Sequence, residues 1–154
     1  MIKNISYRKY LNIQHDYSSI NCLSLICSFY ENELGISWEE ERKVFNNFQI
    51  SSIKELRKIP IEDIYKMSNW IKKDLTNIQP LDIIVYTRNS KLAHFSLYLG
   101  DYKILNLVQE SFSKVTRLDD TQRNNIESVL HHRNVDPEDR KSTRLNSSHS
   151  QQSR

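Results

Sequence analysis

The chain has little of what would staple, anchor or export a protein. It holds two cysteines in 154 residues, Cys22 and Cys27. On a helix their spacing puts them on different faces, so no mutual disulfide is expected. No apolar run approaches the length of a membrane span. The opening residues, Met1 to Gln14, lack the apolar core of a secretory leader, so the chain reads as made in the cytosol with free thiols. The cysteines are not at zinc-knuckle spacing and no histidine cluster accompanies them, so neither a metal nor another cofactor is expected. There is no internal repeat, and no low-complexity run before residue 139. What remains is a length sufficient for one domain with a core of its own.

A surplus of positive charge is also missing, despite a formal net charge of +3. Residues 139–154 carry four cations (Arg140, Lys141, Arg144, Arg154) against one acid (Asp139), which accounts for all of it. Residues 1–138 are neutral, so neither nucleic acid nor a membrane surface is an expected partner. The 139–154 segment has no aromatic residue and no apolar period, and resembles translated sequencing-adapter DNA. It is expected to be a non-native, disordered tail, with the natural C-terminus lost beyond about residue 138. A single domain over 1–138 is the expected folded unit.

Within that unit, helical signals come first and strand signals second. Leu23, Ile26, Cys27, Tyr30 and Leu34 recur at three- and four-residue steps, predicting a helix from Cys22 to Leu34 that Gly35 ends. Ser37 followed by Glu39 and Glu40 opens a second helix, to about Phe48. Two further helical pieces are expected over Ser52–Lys58 and Ile61–Leu75. After Pro80 the period becomes two. Leu81–Thr87, His94–Leu99 and Tyr102–Val108 read as strands, the last two joined at Gly100-Asp101. Phe112–Val115 and Asn125–His132 complete an antiparallel set, with His131 and His132 facing opposite ways. The whole is an α+β pattern.

Two residues carry the chemistry. Cys22 stands at a helix start, where unpaired N–H groups and the helix dipole favour a thiolate. His94 begins an apolar strand and could take the thiol's proton. Taken singly, each is ordinarily structural: a cysteine on an apolar helix fills a core, and a strand histidine is commonly a hydrogen-bonded one. Cys27 shares its face with Leu23 and Tyr30 and is read as core, and His15 as a loop residue.

Several separated blocks resemble one family. Asn21-Cys22-Leu23-Ser24-Leu25-Ile26-Cys27-Ser28-Phe29-Tyr30, ending in Glu33-Leu34-Gly35-Ile36, resembles the nucleophile helix of the NlpC/P60 superfamily of papain-like cysteine peptidases, in particular its phage tail-assembly branch. Ile78-Gln79-Pro80-Leu81-Asp82-Ile83-Ile84-Val85-Tyr86 resembles that family's first strand, and His94-Phe95-Ser96-Leu97-Tyr98-Leu99-Gly100-Asp101 its histidine strand. Tyr102 to Leu107 resembles the strand carrying the third polar residue. Ser113 and Leu130-His131-His132-Arg133 resemble the end of the phage branch. Coverage runs from about residue 8 to 134.

The resemblance implies a papain-like fold, with the Cys22 helix packed on a small antiparallel sheet. It implies Cys22 as nucleophile, His94 as base and Asn106 as the residue that orients the imidazole, with Asn21 and Tyr17 beside the substrate. The implied activity is cleavage of an amide in a peptidoglycan stem peptide. The implied setting is a phage tail, made in the host cytoplasm and carried in the virion, with other tail proteins as partners. Asn21 stands where the family usually has Asp, Asn106 where it more often has His, Leu81 and Tyr102 where it has Gly, and the cleft loop is short. These departures fit the alternative, an inactive tail-assembly module that binds tail or wall partners. An acyl transferase with the same dyad is a third reading.

Overall fold

The computed structural model describes residues 3–14, 22–47, 58–89, 91–107, 112–118, 125–135 and 143–146. In chain order these form β1 (Lys3–Ser6), α1 (Cys22–Phe29), α2 (Glu39–Asn47), α3 (Ile61–Tyr65), β2 (Trp70–Lys73), β3 (Ile83–Arg88), β4 (Lys91–Gly100), β5 (Lys103–Asn106), β6 (Lys114–Arg117), β7 (Ile126–His132) and β8 (Thr143–Asn146). Strands β2 to β7 make one antiparallel sheet in the order β2-β7-β3-β4-β5-β6, with β2 and β6 at its edges. The class is α+β, as the change of period at Pro80 predicts.

The helical part follows from capping and from one irregular turn. Ser37 Oγ accepts the Glu39 N–H at 3.2 Å, and three acids occupy the first turn of α2, where the dipole favours them. The run from Cys22 is α-helical to Phe29 and then widens into a π-helical turn over Tyr30–Leu34. Gly35 ends it with φ +67°, a left-handed conformation glycine adopts without steric cost. The Ile36 N–H then returns to the Tyr30 carbonyl at 3.1 Å.

Alternation along β3 and β4 divides the core in two. Ile83, Val85, Phe95, Leu97 and Leu99 belong to the larger cluster, with Cys22, Leu25, Ile26, Phe29 and Tyr30 from the helical layer. Ile84, Tyr86, Tyr98, Ile104 and Leu118 form a smaller cluster, against which Leu75, Ile78 and Ile126 pack. The central strands are therefore buried on both faces. A β-bulge sets Tyr86 opposite His94 and Thr87 opposite Leu92, leaving Ala93 as the extra residue.

Two expectations need correction. The helix expected over Ile61–Leu75 stops at Tyr65, and Trp70–Lys73 is an edge strand on β7. Pairing overrides local propensity here, because Trp70 meets His132 across the ladder and packs on it with ring centroids 4.7 Å apart. His131 and His132 are both buried rather than one in and one out, since β7 lies between β2 and β3. Beyond residue 139, Thr143–Asn146 forms β8, parallel to β1 with Ile5 opposite Leu145, where the backbone edge of β1 offers it partners. The helix expected over Ser52–Lys58 lies outside the described residues except for Lys58, as does His15.

The β4–β5 turn holds two non-glycine residues in left-handed conformation, Asp101 at φ +52° and Tyr102 at φ +59°. Such a position costs a bulky residue about 1–2 kcal/mol. Tyr102 is exposed, so little packing is lost by removing its ring. Tyr102→Gly is expected to raise the melting temperature by about 2 °C, the strain relieved exceeding the added chain entropy. A thermal melt of the two proteins checks this, and a fall of several degrees contradicts it.

Candidate active site

Cys22 is the first residue of α1 and is almost wholly buried, at 1% exposure. Its sulfur meets the backbone N–H groups of Phe95, Leu23 and Cys22 itself, each of which favours the thiolate. That is the helix-start effect expected from the sequence. Burial is nevertheless the larger influence and pushes the thiol up to about 12. A charge there would lose water that three N–H donors do not replace.

Phe95, which the thiol touches, is the residue after His94. The His94 ring lies against Tyr86, centroids 5.2 Å apart, and its Nε2 is hydrogen-bonded to the Asn106 Oδ1. An amide oxygen can only accept, so Nε2 carries the hydrogen and Nδ1 keeps the basic lone pair. Asn106 is itself buried on β5, one step from Leu105, which pairs with Leu97 of β4. Of the residues singled out in the sequence, His94 and Asn106 are joined directly, and Cys22 is brought to the adjoining backbone step of β4. Asn21 and Tyr17 lie outside the described residues.

The fold matches a solved structure. It is a protein described as similar to lipoprotein, NLP/P60 family, from Staphylococcus aureus subsp. aureus Mu50, 15% identical with a TM-score of 0.50. The chain shares an NlpC/P60-like fold. The match covers 80% of this chain and 38% of that one, so this chain spans well under half of its length. No protein-family model and no curated protein matches the chain.

Other polar groups supporting the site give no local sign in the sequence. Asp82, fully buried before β3, accepts from Lys73 Nζ at 2.5 Å and from the Gln79 N–H at 2.9 Å, with His131 Nδ1 at 3.2 Å from its other oxygen. The backbone of Asp82 also accepts the Tyr98 N–H at 2.9 Å, so this cluster holds β3 in register with the histidine strand. On the helical side, Glu41 is buried with its Oε2 accepting the Trp70 indole N–H at 2.6 Å. Burial among these rings holds His132 below the usual imidazole range. Cys27 is likewise buried, 3.1 Å from an Arg42 nitrogen that also binds Glu31. Burial outweighs that cation and pushes its thiol up to about 11. Among the described residues, no group of three or more His, Cys, Asp or Glu side chains is placed to hold a metal, and no helix is long and apolar enough to cross a membrane.

Two outcomes follow. Both thiols sit above the free value of roughly 8.5, so alkylation by iodoacetamide at pH 8 is expected to be slow and to climb steadily toward pH 11; a rate already flat at pH 7 contradicts this. Asp82→Ala leaves Lys73 without its carboxylate in a largely buried position and is expected to cost about 3–5 kcal/mol in urea unfolding. A loss under about 1 kcal/mol means the cluster is not holding the sheet.

Proposed function

We propose that the chain is a cysteine hydrolase that cleaves an amide in a peptidoglycan stem peptide, with Cys22 as nucleophile, His94 as general base and Asn106 as the group that orients the imidazole. The observation that carries this reading is the His94–Asn106 hydrogen bond, because it anchors the imidazole through one nitrogen and leaves the other for proton transfer. The thiol's place at a helix start, among backbone N–H groups, supports it. So does the fold shared with an NLP/P60 protein.

In the proposed reaction the Cys22 proton passes to His94 as sulfur attacks the amide carbonyl. The C–N bond breaks, the leaving amine takes that proton, and an acyl thioester remains on Cys22. Water, deprotonated by His94, then adds to the thioester. The carboxylate leaves and the thiol is restored. The N–H groups at the start of α1 would supply hydrogen bonds to the oxyanion. Because burial disfavours a free thiolate, deprotonation belongs with substrate attack rather than the resting enzyme. The proposed setting is a phage tail tip, with the protein made in the host cytoplasm and carried in the virion among other tail proteins.

The second reading is an inactive module that keeps the fold and binds tail or wall partners. One observation favours it specifically, the burial that keeps the Cys22 thiol protonated. Digestion of purified peptidoglycan, with mass spectrometry of released stem peptides, separates the two. Cys22→Ala is expected to abolish release, and His94→Ala to slow it at least about 100-fold, with melting temperatures within a few degrees. Release by Cys22→Ala at the parent rate, or none by the parent protein, overturns the catalytic reading.

A further inference from the structure

An open cavity of about 490 Å³ lies at the far end of β4, lined by Leu75, Thr76, Ile78, Tyr98, Asp101, Tyr102 and Leu118. Tyr98, the β4 residue that lines it, stands four residues along the strand from His94, about 13 Å at roughly 3.3 Å per residue. The cavity is thus distinct from the site of Cys22. Its size falls within the range of about 300–1,000 Å³ typical of small-ligand sites. Its floor is the smaller apolar cluster, to which Tyr98 and Leu118 belong and against which Leu75 and Ile78 pack.

The chemistry of the lining narrows the occupant. Among the described residues lining it, Asp101 is the only charged one, and it is an anion, so phosphates, nucleotides and carboxylates are disfavoured. The remaining polar groups are hydroxyls, from Thr76, Tyr98 and Tyr102. They combine with an exposed aromatic ring, Tyr102, and a largely apolar floor. Such a set suits a neutral ligand with one apolar face and many hydroxyls, which is a sugar ring.

The Tyr102 ring is also held in place at a cost. Asp101 and Tyr102 both take left-handed backbone conformations, which glycine or asparagine would adopt more readily. The turn is fixed from two sides, by Tyr102 N–H donating to the Tyr98 hydroxyl at 3.1 Å and by Leu118 N–H donating to the Tyr102 carbonyl at 2.7 Å. Strain of this kind persists where the surroundings over-determine it, commonly at binding sites.

We propose that this cavity is a second binding site, for an uncharged glycan, with Tyr102 stacking on a sugar ring and Asp101 accepting its hydroxyls. The identification of that glycan as the N-acetylhexosamine strand of peptidoglycan rests on the function proposed above. The site would hold the polymer while its stem peptide is presented elsewhere on the domain.

The test is titration calorimetry with chitotetraose, an uncharged N-acetylglucosamine oligomer, in a Cys22→Ala background so that turnover plays no part. Binding is expected, and Tyr102→Gly is expected to weaken it roughly tenfold or more. That variant relieves the turn strain, so an unchanged or raised melting temperature shows that lost affinity comes from the ring. Asp101→Asn, which keeps the turn conformation accessible, is expected to weaken binding as well. No binding by the parent, binding within twofold in both variants, or preference for a stem tripeptide at this cavity overturns the proposal. Each outcome is independent of whether Cys22 hydrolyses anything.

Discussion

The structure depends on burying its central strands on both faces. β3 and β4 carry apolar side chains in both phases, Ile83, Val85, Phe95 and Leu97 toward the helical layer, and Ile84, Tyr86 and Tyr98 toward the smaller cluster. A strand so enclosed must pair its whole backbone within the sheet, which fixes β4 between β3 and β5. Everything with functional bearing is attached to that strand. Cys22 meets it at Phe95, His94 lies just after its bulge, and Asn106 reaches it from β5. The cavity opens at its other end.

The same enclosure sets a conflict at Cys22. Helix-start N–H groups favour the thiolate, and removal from water disfavours it more. A thiol in that position is shielded from solvent reagents and depends on its neighbours for any reactivity. His94 has the complementary arrangement, with an acceptor on Nε2 that leaves the basic lone pair on Nδ1.

Much of this was legible in the sequence where local periodicity and burial agree. The α1 and α2 helices, the change of period at Pro80 and strands β3 to β7 all follow from spacing, whereas the association of His94 with Asn106 came from the family resemblance of the blocks around them. The rest depends on partners distant in the chain. Trp70–Lys73 has a helical surroundings-pattern and becomes a strand because β7 pairs with it. Asp82 and His131 stand 49 residues apart, and no local pattern records that they meet. At Cys22 the helix start is visible in the sequence and the depth of burial is not.

The two outer strands of the sheet have a consequence for how copies of the molecule meet. β2 carries the exposed Lys72, and β6 begins with Lys114 and ends with Arg117. An edge strand is a template on which another chain can zip, and lysine or arginine on it is a common deterrent. Zipping β2 to β6, or either edge to itself, would bring cation toward cation. Cations at both described edges therefore oppose extension of the sheet by another copy of the chain.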